Sequence, residues 1–432
     1  MKNATVIGKA GKFNICFRPE TLSNHAGAVL LQEMVERGHL PQMIDDELQV
    51  KTRARGYRES DHVLALSWNL ILGGSCLSDV EALRGDPGTL RLLGVQALPA
   101  PWTLGEYLRK FGLGDICDLQ RLLRRAAAVY RPFQSWPGCT IDLDASIYAQ
   151  ASTEKQGSRK AYNGEVGYHP LFAFCAETTE LLYSHLLAGN RYPTTKAIWL
   201  MEQVLRTIPE GAKRQLRADS AFYTWPLIDW LEEHDFTWAI TADLTKALRQ
   251  QVEKLAEQAW KKNKFYRGAQ VAEFCFRPVH RPKAYRYVVK RERRTDKKGQ
   301  AYWSYHVIMT NDTRRRAAKV VKWYMGRCTV ENQIKEHKHG FSLEKLPTKQ
   351  FHANWAYLLI GQLAYNLVVW FKRLVLPERY HTATIKTLRH HLFNLAGKIV
   401  QTGRQFFLAI SEEYRYQDVW RFALKQLDKL AT

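Results

Sequence analysis

The sequence predicts a mixed α/β protein, and three observations carry that expectation. Helical periodicity dominates residues 1–130, strand-like alternation sets in at Cys139 and then gives way to alternating helices and strands, and a strongly basic, strand-rich stretch occupies residues 261–300. The 432 residues allow two or three domains at roughly 100–200 residues each. With 46% apolar and 12% aromatic residues there is ample core material, which excludes a disordered chain. Lys plus Arg number 64 against 42 Asp plus Glu, a net charge of +22. An excess of that size implies a polyanionic partner, nucleic acid first, with an anionic membrane surface as the competing reading.

Taken in order, residues 1–132 read as a mainly helical DNA-binding region after a short extended start, Thr5–Cys16. Met1–Phe17 lacks the apolar run of roughly 7–15 residues that a secretory signal needs. Apolar residues recur at helical spacing in Gly27–Arg37, His62–Leu72 and Leu119–Tyr130, and bases cluster at Lys51, Arg53, Arg55 and Arg58. Trp102–Phe111 fits part of a helix-turn-helix, although any short amphipathic helix looks the same. The seven cysteines are scattered and form no Cys-x-x-Cys pair. That argues for a reducing cytoplasm and against disulfides or structural zinc.

Strands are expected at Cys139–Ala149, Gly167–Glu177 and Leu181–Leu187, then a helix over Lys196–Thr207 and a strand reaching Asp219. A helix follows, capped by Thr224 with Pro226 in its first turn, and then a strand over Phe236–Thr241. This order matches the RNase H-like fold, in which acids gather at one edge of a central sheet. The α/β domain is placed at 133–243 and 311–348, with a basic β-rich insertion at 244–310. Residues 261–300 hold fourteen Lys or Arg against three acids, a local balance of 14 − 3 = +11. A solvated hairpin would mix signs, so Arg291, Arg293 and Arg294 are assigned to DNA. A long helix is expected from Thr313 to His337. The apolar run Trp355–Phe371 carries Gln362 and Asn366 and reads as a buried helix, not a membrane span. Residues 349–432 are taken as a mainly helical C-terminal region.

Three acidic positions stand out. Asp142 and Asp144 lie two apart in a strand and so face one side, which is costly unless they are solvated or bind a cation. An edge strand with one wet face explains them equally well. Asp219 ends a strand before a helix, where ligands gather in α/β sheets and where Asp is also common in turns. Tyr324, Arg327, Glu331 and Lys338, at offsets 0, 3, 7 and 14, project onto a helix stripe roughly 60° wide. Such a stripe fits a phosphate backbone beside a metal, or simply a solvated helix face.

The pattern Tyr324-x2-Arg327-x3-Glu331-x6-Lys338 resembles the YREK signature of a superfamily of bacterial insertion-sequence DDE transposases. Gly167-Tyr168-His169-Pro170-Leu171, Gly189-Asn190 and Arg217-Ala218-Asp219-Ser220 resemble one of its subgroups. In that superfamily Glu331 corresponds to the third catalytic carboxylate. The first Asp stands before x-Ser/Thr, as Asp144-Ala145-Ser146 does and Asp142 does not. The resemblance covers about residues 135–345 and implies an RNase H-like catalytic domain with Asp144, Asp219 and Glu331 holding two Mg2+ ions, for which Mn2+ can substitute. Asp144 would bridge the ions. It further implies phosphate clamping by Arg327 and Lys338, and contact of Tyr324 with a phosphate or base. Trp303 or Tyr302 would hold a flipped base, unless they are core residues. The implied activity is cutting transposon ends and joining their 3′-hydroxyl to target DNA. The implied partners are terminal inverted repeats and target duplex, with a homodimer on DNA in the bacterial cytoplasm and no membrane. An RNase H-like nuclease or resolvase that cuts without joining, and a domesticated DNA-binding relative without catalysis, are the alternatives. The intact acids count against the second.

Overall fold

The computed structural model describes residues 6–10, 12–16, 20–51, 55–131, 138–209 and 211–430. Thr5, and Arg53 of the basic N-terminal group, lie outside the described residues. Two compact units form: residues 108–370, and residues 1–107 with 371–432.

The first unit is built on nine strands. They are β1 (Cys139–Ala145), β2 (Leu171–Cys175), β3 (Leu181–His185), β4 (Arg214–Ala218), β5 (Thr237–Thr241), β6 (Lys261–Lys262), β7 (Ala269–Phe276), β8 (Tyr285–Thr295) and β9 (Ala301–Thr310). Their order is β6-β7-β8-β9-β5-β4-β1-β2-β3. Strand β4 runs parallel to both β1 and β5, while β2 pairs antiparallel with β1 and β3 antiparallel with β2. The β3-β2-β1-β4-β5 half has the strand order and directions of the RNase H-like sheet.

Each face of this sheet is covered, which explains why β1 is buried along nearly its whole length. Cys139, Ile141 and Leu143 pack with helices α1 (Ala197–Leu205) and α2 (Trp225–Glu233) on one face. The alternate residues Asp142 and Asp144 point to the other. On that second face α3 (Ala317–Met325) packs Val320, Val321 and Tyr324 against Ala239, Val288 and Ile308.

The basic stretch continues the central sheet. β9 pairs antiparallel with β5, and β8 and β7 follow it outward. Its base, including Tyr287, Val288, Ile308 and Met309, is fully buried, whereas Arg293, Arg294, Lys297 and Lys298 near the tip are exposed. The segment is therefore a sheet extension with a cationic tip.

Three expected elements are divided, the first being the strand over Cys139–Ala149, which ends at Ala145 while Tyr148–Ala149 joins a separate three-stranded sheet. The strand over Gly167–Glu177 breaks at His169-Pro170, since proline offers no N–H to a ladder. Val166–Tyr168 joins a small three-stranded sheet and β2 begins at Leu171. The helix over Thr313–His337 becomes α3, then α4 (Cys328–Lys335), then a π-helical turn over Glu336–Gly340.

The apolar helix α5 (Phe351–Leu374) uses its two central amides on the sheet's edge. Asn366 accepts from Leu181 N and donates to Leu181 O, both at 2.9 Å, and Gln362 donates to the same carbonyl at 2.9 Å. The outward N–H and C=O of Leu181, at the start of edge strand β3, are thereby satisfied. Among the described residues no single helix is long and apolar enough to cross a membrane.

In the second unit the N- and C-terminal regions, expected to be separate, interlock. Gly397–Thr402 pairs with Leu22–Ser23, and Arg389 donates to the carbonyls of Leu70 and Ile71. Those carbonyls end helix Glu59–Leu72 and have no partner within it, so a basic residue from the distant region completes the helix.

Candidate active site

Asp144 is the penultimate residue of β1, and Asp219 follows β4 directly. Because the two strands are parallel, with Ala218 opposite Leu143, both acids emerge at the same sheet end. Asp219 Oδ1 accepts from Ala221 N at 3.0 Å, which fixes the turn leading toward α2. Glu331 comes from α4, with 56% of its side chain exposed.

Arg327 links these acids. Its Nη1 donates to Asp144 Oδ2 at 3.1 Å, and its Nη2 lies 3.8 Å from Glu331 Oε1. Burial pushes the Asp144 carboxyl up to about 6; Arg327 opposes that shift, while Asp219 and Glu331 add to it. Burial also raises Asp219, again against Arg327 and with help from Asp243 and Glu331. The three acids expected from the sequence are thus one electrostatic cluster. They do not converge to coordination distance: among the described residues no three His, Cys, Asp or Glu side chains are placed to hold a metal ion. The guanidinium of Arg327 stands among them as the counter-cation.

A raised carboxyl has a consequence for stability. Folded Asp144 holds its proton more tightly than the unfolded chain does, so its favourable contribution is complete below about pH 4. It is lost as pH rises through about 6. Metal-free protein should therefore lose stability across that window. Urea unfolding at pH 4.5 and 7 checks this, with Asp144→Asn expected to flatten the difference.

The signature residues do not form one exposed stripe, because the helix that would carry them is broken. Tyr324 is buried, and its hydroxyl donates to Ala218 O at 3.1 Å and also bonds Thr241. It braces the backbone just before Asp219. Thr241 also faces His306 Nε2 at 3.2 Å; burial, with Lys290 and Arg327 nearby, lowers that imidazole to about 4. Lys338, on the π turn, donates to Ile147 O at 2.7 Å and lies over the Tyr148 ring. Of the signature residues, Arg327 bonds Asp144 directly and Glu331 lies beside Arg327.

A family profile described as transposase DDE domain group 1 matches residues 7–432. The chain belongs to that family. Among solved structures, a piggyBac transposase synaptic complex with hairpin DNA is similar, at 11% identity and a TM-score of 0.40, covering 92% of this chain and 89% of that one. No curated protein sequence matches.

In this transposase the basic residues named from the sequence divide by burial. Arg291 is only 4% exposed. It lies between the rings of Trp260 and Trp303 at 4.1 and 4.2 Å, and pairs with Glu257 and Gln270. With these partners its side chain is engaged in the protein itself, unlike the exposed bases near the tip. Arg293 and Arg294 are exposed, and so is Tyr302; Trp303 is half-buried under Arg291 and Arg293. Two residues near the acids are given no role by the sequence, one unnamed there and one named only within a matching segment. Asp243, two positions beyond β5, is an exposed acid that raises Asp219. Its signal was an acid just past the end of a strand parallel to β4. The other is Arg217, which forms a buried ion pair with Asp142.

Proposed function

We propose that this transposase cuts DNA at the ends of a mobile element and joins the freed 3′-hydroxyl to a second duplex, with Asp144, Asp219 and Glu331 as the metal-holding acids. The carrying observation is that these three carboxylates, 75 and 112 residues apart, share one electrostatic site with Arg327. The donor set is all carboxylate oxygen, which suits a hard divalent cation such as Mg2+, with Mn2+ as a substitute. When bound, such ions activate a nucleophile and stabilise the leaving oxygen.

The chain's own residues supply the rest. Asp144 and Asp219 are held by the sheet, so their spacing is rigid, whereas Glu331 rides on α4. Arg327, already at the site, turns its guanidinium from Asp144 to a phosphate of the reacting strand, where its planar fork bonds two oxygens. Lys338 stabilises the loop after β1 through Ile147 O and adds positive potential nearby. The exposed tip of β8 and β9 holds duplex by phosphate contacts, and two copies on paired ends would bring both ends together.

Incubating the full chain and Mg2+ with end-labelled DNA from the flanks of its own gene tests this reading. End-specific nicks that vanish with chelator are expected; random or absent cleavage contradicts it. A second expected result concerns the tip. Replacing Arg293, Arg294, Lys297 and Lys298 with Gln should flatten the dependence of log affinity on log salt, by up to about 0.9 for each phosphate no longer neutralised. The melting temperature should not change. An unchanged slope would place the DNA path elsewhere.

A further inference from the structure

In an uninterrupted helix the Trp323 carbonyl accepts from the N–H four residues on, that of Arg327. Here it does not. Arg327 N bonds Tyr324 O at 2.9 Å instead, and Trp323 O receives Nη1 of Arg217, with Gly326 N at 3.2 Å. A side chain that enters the helical ladder in this way is a recognised cause of a sharp break. The break falls between α3 and α4, immediately before Arg327, which meets Asp144, and about one turn before Glu331, which lies beside Arg327.

Arg217 is itself fixed. Its Nε and Nη2 donate to Asp142 Oδ1 and Oδ2, both at 2.7 Å, in a fork-to-fork pair across the β4–β1 ladder, where the two residues are direct partners. Both side chains are buried. Since strand side chains repeat every second residue, this pair lies on the face of Asp144, one pleat back from the acids. Glycine at 326 is required by the same contact, as a Cβ there would come within 2.5 Å of Arg217 Nη1.

We infer that the Arg217–Asp142 pair is a positioning device: Arg217 takes the Trp323 carbonyl, breaks the helix at Gly326 and so aims Arg327 and Glu331 at Asp144. Neither residue touches DNA or metal in this scheme. All three hydrogen bonds are needed at once, two to hold the guanidinium and one to divert the helix. A plain core ion pair would explain the first two and leave the third without purpose. In its effect on catalysis the inference rests on the proposed chemistry; in its effect on helix geometry it does not.

The test separates those parts. The double variant Asp142→Leu/Arg217→Met removes both charges together and so leaves no buried ion unpaired. Such replacements are often tolerated or stabilising. In the full chain, spin labels on non-canonical residues at Glu233 and Asn332 report the placement of α4 relative to α2. We expect a cooperative melt close to that of the parent, a shifted label distance, and a fall in kcat for end cleavage of about a hundredfold, as for a catalytic group misplaced by an ångström or so. KM for DNA should stay unchanged. In the same background Glu331→Gln should no longer weaken Mn2+ binding, although it does so in the parent. Arg217→Lys, which keeps the charge but cannot make three directed bonds, should shift the label distance as well, and it serves if the double variant does not fold. An unchanged label distance in either folded variant overturns the inference, as does a shifted distance with undiminished cleavage. If the parent itself neither cleaves DNA nor binds Mn2+ through Glu331, the proposed function fails while the label distance still decides the helix break.

Discussion

Asp144→Asn should lower end cleavage at least about a thousandfold, which corresponds to about 4 kcal/mol of lost transition-state stabilisation. The same variant should be more stable than the parent at neutral pH. Asparagine keeps the shape of the side chain but removes a buried charge whose carboxyl is pushed up to about 6. The gain should be on the order of 2–3 kcal/mol, from about 1.4 kcal/mol for each pH unit by which the ionised form is disfavoured. Activity and stability thus move in opposite directions at this position, which a merely structural aspartate would not show. Single-turnover cleavage with urea unfolding on the same preparation measures both. Loss of activity accompanied by loss of stability would mean that Asp144 holds the fold.

Asp142 should behave in the opposite sense. Asp142→Asn leaves Arg217 charged and without its counter-ion in a fully buried place, and breaking a buried pair from one side costs about 3–5 kcal/mol. The expected result is a large fall in the urea midpoint, with residual metal binding in whatever fraction remains folded. Two aspartates on the same face of one strand would then be told apart by what they face. Asp144 meets Arg327 at the end of the sheet, where Asp219 and Glu331 also lie, and Asp142 meets Arg217 one pleat back. Equal stability losses in the two variants would count against this division.

Much of the catalytic unit could be read from the chain because its elements are locally encoded. Alternation around Asp144, the strand before Asp219 and the Pro226 start of α2 each depend on neighbouring residues only, and the structure has them where they were expected. The strand over Gly167–Glu177 fails locally, at Pro170, whereas several other departures share a cause, in that a distant residue intervenes. Nothing between Thr313 and His337 announces a break except Gly326; the break is made by Arg217, some hundred residues earlier. Arg291 reads as one more base in a basic run, and only folding brings Trp260, Glu257 and Gln270 around it. Arg389 cannot be seen to finish a helix that ends at Leu72 until both chain regions are assembled. Tyr324 matched a signature by spacing, yet spacing alone cannot show that it shares the buried face of α3 with Val320 and Val321.

The most direct measurement of the central claim is joining, since cutting alone is shared with nucleases. Pre-cleaved ends carrying a free 3′-hydroxyl, incubated with the full chain, Mg2+ and an unrelated plasmid, should yield covalent end-to-plasmid products. Those products should disappear when the end is blocked with a dideoxy terminus or when Asp144→Asn replaces the parent. Efficient cutting of the same ends without any joined product, in Mg2+ or Mn2+, would contradict strand transfer and make the protein a nuclease.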